Sequence, residues 1–219
     1  MNTYRSVTCQ EPPEVKLNNI GTLALEDIAK ADLPPKDRIV RAARELFYRS
    51  GLHSVGVDAI AEAAGTNKMT LYRHFDSKDL LIAECMRQIC ADFLNAWEAV
   101  SPSCEGDPKR LLKLWLDFSF DQKTHSRGCA LANAAVQLPD KDHPAKRVIE
   151  DNKRKFREMT AQLCRNAGLE DPELLADELF LLCEGAHVSV ESVGTEGPVQ
   201  QVPRMIENMV ARHTPRISA

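Results

Sequence analysis

The side chains with most chemistry to offer are gathered at residues 67–78. Lys68, Thr70, Tyr72, Arg73 and His74 are hydrogen-bond donors, Lys78 follows them, and Asp76 is the single carboxylate among them. Donors of this kind hold phosphate oxygens and the acceptor edges of bases, while Met69 offers an apolar contact for a thymine methyl group. Lys78 stands at the start of a helix, where its ammonium and the free N–H groups of the first turn can hold a phosphate together. Plainer roles remain open for each. Tyr72 can be a partly buried aromatic, Lys68 and Lys78 solvated helix-start residues, and Arg73 one half of a surface ion pair worth little in water.

Other reactive residues are sparser. Cys183 and His187 are four apart with Glu184 between them, which is metal-ligand spacing, but further ligands are not apparent nearby; a core thiol beside a histidine is the plainer reading. The seven cysteines (Cys9, Cys85, Cys90, Cys104, Cys129, Cys164, Cys183) are odd in number, scattered, and form no Cys-x-x-Cys pair. That usage fits free thiols in a reducing compartment, and with no apolar run after the first residues the expected location is the cytoplasm. A redox switch at Cys85/Cys90 or Cys129 needs a cationic or helix-start setting, and Arg127 near Cys129 is the suggestive case. There is no His-Glu-x-x-His, no Gly-x-Ser-x-Gly, no phosphate-binding glycine loop, and one Glu-x-x-His where a di-metal bundle needs two. No catalytic residue, cofactor or metal is therefore expected.

The elements that must position the donor cluster are helical. Ile39, Ala42, Ala43, Leu46 and Phe47 recur on one helical face, and Ser50-Gly51 stops the run. A short helix fits 57–64 and another 68–75, the latter capped by Asn67 with Leu71 and Phe75 facing inward. Ser77 opens a long helix to about Val100 with a Leu81, Cys85, Ile89, Phe93 stripe. Further helices are predicted over 108–123, 127–138, 143–167, 172–193 and 198–212. No alternating strand pattern of useful length and no repeat is found, so the fold class is all-α. The 219 residues, 43% hydrophobic and with net charge −4, suit one or two soluble domains, and no run is long enough to span a bilayer. An acidic total disfavours indiscriminate coating of nucleic acid but leaves room for a small basic reading head. Residues 1–35, bracketed by Pro12-Pro13 and Pro34-Pro35, read as an extension, flexible or forming a short helix packed on the body.

Two short helices joined by Gly65-Thr66-Asn67 have the form of a helix-turn-helix, in which the first steadies the second in the major groove. The residues Ala61-Glu62-Ala63-Ala64-Gly65-Thr66-Asn67-Lys68-Met69-Thr70-Leu71-Tyr72-Arg73-His74-Phe75-Asp76-Ser77-Lys78-Asp79-Leu80-Leu81, with Ala42-Ala43-Arg44-Glu45-Leu46-Phe47 and Ser50-Gly51 before them, closely resemble the signature of the TetR/AcrR family of bacterial transcriptional regulators. The specific match covers about 38–83. Less specifically, Arg127-Gly128-Cys129-Ala130 and Asp142-His143-Pro144 look like the regulatory domain of some members. The resemblance implies a homodimer with one DNA-binding head per subunit, most often a repressor released from a palindromic operator when a small molecule binds the C-terminal domain. By position it assigns Lys68, Met69, Thr70 and Arg73 to base edges, and Tyr72, His74 and Lys78 mainly to phosphates. One departure is Gly56, which stands where the second helix usually begins with Ser or Thr and which has no hydroxyl to give a phosphate.

The expected division is an extension over 1–35, the DNA-binding domain over 36–82, a regulatory and dimerisation domain over 83–213, and a tail over 214–219. Pockets between helices are largely apolar with a few placed polar groups. The candidate walls are Trp115, Phe118, Cys129, Asn133, Gln137, Phe156 and Cys183, any one of which can instead be plain core. The candidate dimer surface is Phe180, Leu181, Gly185, Val188, Ile206 and Met209, which can alternatively close the monomer's own core. Double-stranded DNA, an unidentified small effector and a second copy of the chain are the expected partners, with no membrane. The rival readings are an all-helical enzyme or metal-binding bundle without DNA function, and a helical interaction module, which would not require the outward donor set.

Overall fold

The structure, a computed structural model, describes residues 28–29, 32–120 and 128–215. Nine α-helices occur among these: α1 Pro35–Ser50, α2 Val57–Ala63, α3 Lys68–His74, α4 Lys78–Val100, α5 Pro108–Ser119, α6 Ala130–Gln137, α7 Pro144–Asn166, α8 Pro172–Val193 and α9 Val202–Arg212. Short 3₁₀ turns at Ser101–Cys104 and Pro198–Gln201 extend α4 and precede α9. The continuous helix expected over 198–212 is thus split. Its first turn winds tighter, and Pro203 supplies no N–H to the ladder.

The caps explain several boundaries. Asn67 Oδ1 accepts from Thr70 N at 2.9 Å to start α3, and Ser77 Oγ accepts from Leu80 N at 3.1 Å to start α4. Asp107 does the same for Arg110 N at α5. Each satisfies an amide that the helix ladder leaves open. The predicted end of α5 at 123, and most of the extension over 1–35, fall outside the described residues.

Helices α1, α2 and α3 form a head around Ile39, Phe47, Ile60, Leu71 and Phe75, closed from the other side by Leu81 and Cys85 of α4. Ile28 is also part of this core, 2% exposed. Arg38 fastens the chain before α1: Nη1 donates to Leu33 O at 2.9 Å and Nε to Ala64 O at 3.0 Å. Helix α4 runs from the head into the body, where it packs on α7; α7 packs in turn on α5 and α8, and α9 lies on α8. The body's core centres on Trp97, Trp115, Leu175 and Leu179.

Candidate nucleic-acid interface

Helix α3 turns one face inward and leaves the other open. Leu71 is wholly buried and Phe75 nearly so, while Met69 is 78% exposed and Tyr72 42%. Lys68, Arg73 and His74 are exposed and Thr70 half-buried. The i, i+4 pair Leu71/Phe75 fixes the rotation of the helix, so the remaining side chains must point outward. The turn before α3 is tied by Gly65 N to Glu62 O and Thr66 N to Ala61 O, both at 2.9 Å. The result is a short, rigidly seated helix with a slender donor-rich face, the geometry needed to enter a major groove.

Two of the six cationic or donor groups have partners within the head. Lys68 Nζ lies 3.2 Å from Asp58 Oδ2 between two exposed side chains, a pair that water screens and a phosphate can replace. Lys78 is more committed. Its Nζ donates to Leu52 O at 2.6 Å and sits 5.8 Å over the Phe47 ring. Burial there lowers its pKa from the usual lysine value, only partly offset by Asp79. At α2, Gly56 is the N-cap without a side-chain bond, and a Cβ built there meets nothing within 4 Å.

The seven residues expected to line a pocket fall in three places. Trp115, Phe118 and Phe156 stack with Phe93 and Trp97 in an aromatic cluster, ring centroids 4.9–6.4 Å apart. Trp115 is wholly enclosed, its Nε1 donating to Thr160 Oγ1 at 2.9 Å. Asn133 and Gln137 instead line a groove of about 420 Å³ between the head and the body, shared with Arg44, Tyr48 and Met86. Cys129 and Cys183 lie near Lys153, and Cys183 Sγ is 3.6 Å from His187 Nδ1. Among the described residues, no three His, Cys, Asp or Glu side chains are grouped to hold a metal ion. Arg127 is outside the described residues.

The six residues expected at an interface divide as well. Leu181 and Val188 are 69% and 57% exposed, and Gly185 is open beside them. Phe180 turns inward onto Phe156 and Lys153. Ile206 and Met209 pack against the body's core, because the apolar stripe of α9 faces α8 and that core rather than solvent.

Sequence reasoning passed over Lys153, whose Nζ is paired with Glu184 and within 3.9 Å of Cys129 Sγ. The signal existed: Lys153 follows Ile149 by four and precedes Phe156 by three, so it stands on the apolar stripe of an otherwise charged helix. It also passed over the Gln137 contact with the head, for which the sequence carries no sign.

Comparison with known proteins places these features in a group. The family described as bacterial regulatory proteins, tetR family, matches residues 39–85. The chain is 42% identical over 55 residues to the HTH-type transcriptional regulator UidR of Escherichia coli K12, a match spanning 25% of this chain and 28% of UidR. It is 20% identical over 195 residues to the HTH-type transcriptional repressor DhaR of Mycobacterium sp. strain GP1, covering 86% of this chain and 98% of DhaR. The solved structure of a TetR-type regulator from Streptomyces avermitilis superposes with a TM-score of 0.68 and 28% identity, over 81% of this chain and 98% of that one.

Proposed function

Through residues 39–85 and the helical fold that follows them, the chain belongs to the TetR family of bacterial regulatory proteins, and we propose that it is a dimeric, sequence-specific DNA-binding transcriptional regulator whose head is released by a small effector. The observation that carries this reading is the face of α3: Met69, Tyr72, Arg73 and His74 stand outward on a helix that Leu71 and Phe75 lock in place. Lys68, Met69, Thr70 and Arg73 are the residues assigned to base edges, and Tyr72, His74 and Lys78 to phosphates. For Lys78 the free head offers a bond to Leu52 O; the ammonium has further protons for a phosphate. Repression is the favoured sign of regulation, supported by the name of DhaR. TetR-family regulators are in general non-enzymatic DNA-binding proteins, and the proposal needs no catalytic group, cofactor or metal. The outward faces of Leu181, Gly185 and Val188 on α8 are the part of the expected dimer surface that the monomer leaves open.

Selection of bound sequences from random duplex DNA, repeated at two salt concentrations, tests the reading. The expected result is an enriched palindrome with two related half-sites and an affinity that falls steeply with salt. Arg73→Ala should weaken the selected site by about 1–3 kcal/mol and relax one position of the half-site. Tyr72→Phe should weaken all duplexes alike through one lost phosphate bond. Unchanged binding by both variants would remove α3 from the contact surface.

A further inference from the structure

Helices α2 and α3 have seven residues each, too few to hold themselves in water. The angle at which α3 is presented therefore depends on what fixes the turn between them. One contact at that turn comes from outside the helix-turn-helix. Ile28 and Ala29 are helical in conformation, Ile28 is 2% exposed within the core of the head, and Ala29 is half-buried. Ala29 lies directly on Gly65. A Cβ at Gly65 would stand 3.1 Å from both Ala29 Cβ and Ala29 O, and 3.2 Å from Ala29 Cα. Gly65 also has φ +61°, so its backbone conformation and this close approach both call for a residue without a side chain.

The chain between Ala29 and α1 is tied to the same elements. Arg38 bonds Leu33 O through Nη1 at 2.9 Å and Ala64 O through Nε at 3.0 Å, so one guanidinium joins the approach to the residue before the turn. Lys36 Nζ sits 5.9 Å from the centroid of the Phe75 ring, the anchor at the end of α3. Pro34 and Pro35 have fixed φ, which sets the direction in which the segment leaves α1. The segment thus meets the end of α2, the turn and the end of α3. It is poorly composed to grip DNA itself. Residues 1–27 carry Glu11, Glu14, Glu26 and Asp27 against Arg5 and Lys16, an excess of acid that phosphates repel.

We propose that Ile28 and Ala29 are positioning residues for DNA reading, which brace the α2–α3 turn and thereby set the angle of α3 in the major groove. The inference rests on the DNA-binding reading above, and it concerns residues that precede the family match over 39–85. Hydrogen bonds to base edges weaken steeply when donor and acceptor are misaligned, whereas attraction to phosphates tolerates displacement. A loosened brace therefore costs discrimination between sequences before it costs general affinity for duplex DNA.

The test uses the full-length protein carrying Ile28→Ala, Ile28→Val or Ala29→Leu. Each is titrated by fluorescence anisotropy against a selected palindrome and a scrambled duplex, and amide hydrogen exchange is read by mass spectrometry on the free protein. Ile28→Ala should weaken binding to the palindrome about tenfold, the equivalent of one base contact, and leave the scrambled duplex unchanged. Ile28→Val should restore native discrimination. Ala29→Leu, at a half-buried position outside the core, should lift the segment off Gly65 and give the same loss. Exchange in Ile28→Ala and Ala29→Leu should quicken over residues 61–75 while residues 39–47 stay protected. An equal loss on both duplexes, exchange that rises evenly through the head, or native discrimination in Ala29→Leu would overturn the proposal. Should Ile28→Ala fail to fold, Ala29→Leu decides the matter alone. A native protein that enriches no palindrome would overturn the DNA-binding reading instead, and exchange over residues 61–75 still judges the brace.

Discussion

Glu45 is buried in α1 with Oε1 paired to Arg49, while Oε2 has no hydrogen-bond partner among the described residues. Burial raises its pKa above the ordinary glutamate value, and Arg49 offsets this only in part. A carboxyl whose folded pKa is raised helps the fold while protonated, and this contribution is lost as pH rises from its unfolded pKa through the folded one. Glu45→Gln should therefore raise the melting temperature at pH 7 relative to the native chain, with the gain shrinking as pH falls toward 4.5. Melting curves across pH 4–8 measure this, and a gain that grows on acidification would show the wrong sign. Gly56 offers a second test at this scale. Because a Cβ there meets open space, Gly56→Ser should add a cap worth a few tenths of a kcal/mol and a hydroxyl for a phosphate. Both the melting temperature and the affinity for any duplex should rise together.

At the scale of elements, the question is how α6 speaks to the head. Gln137 Oε1 accepts from Leu52 N at 2.7 Å, its Nε2 donates to Asn133 O at 3.1 Å, and its backbone O is 2.5 Å from His53 Nε2. The approach is possible because Gly51, at φ +82°, presents no Cβ; one would stand 2.9 Å from that same Oε1. The start of α7 also lies against the start of α4, with His143 Nε2 3.3 Å from Asp79 Oδ1. Any shift of α6 or α7 therefore reaches the segments that flank α3. Gln137→Ala should cost about 1–2 kcal/mol of stability, since Leu52 N loses its partner. It should also narrow the difference in DNA affinity between effector-free and effector-bound protein. Calorimetry and anisotropy titrations measure the two effects, and an unchanged affinity ratio would remove Gln137 from the coupling.

For the whole molecule, α8 carries an open apolar face. Leu174, Leu181 and Val188 recur every seven residues and are 54%, 69% and 57% exposed, with Gly185 between the last two. A row of this kind is the surface a second copy would cover, and small Gly185 permits close approach of its helices. Leu181→Glu places a charge in the middle of the row and should give monomers by analytical ultracentrifugation at micromolar concentration. Binding to a full palindrome should then fall toward that of a single half-site. A variant that stays dimeric would move the interface elsewhere. No helix among the described residues is long and apolar enough to cross a membrane.

Local signals are what the sequence carried without help. Apolar spacing placed the helices, Asn67 and Ser77 marked the starts of α3 and α4, and the Leu71/Phe75 pair already told which side of α3 faces outward. These depend on neighbours within a turn or two, so order along the chain suffices to read them. Placement across the chain was a different matter. That Phe180, Ile206 and Met209 turn inward while Leu181 and Val188 stay open was decided by how α7, α8 and α9 stack. That Asn133 and Gln137 face the head, while Trp115 and Phe156 lie in a separate aromatic core, follows from the crossing of α4, α6 and α7. The meeting of Cys129 with Lys153, 24 residues apart, required four helices to close around one point. Periodicity gives each helix its apolar face, but only packing in three dimensions selects which partner covers it.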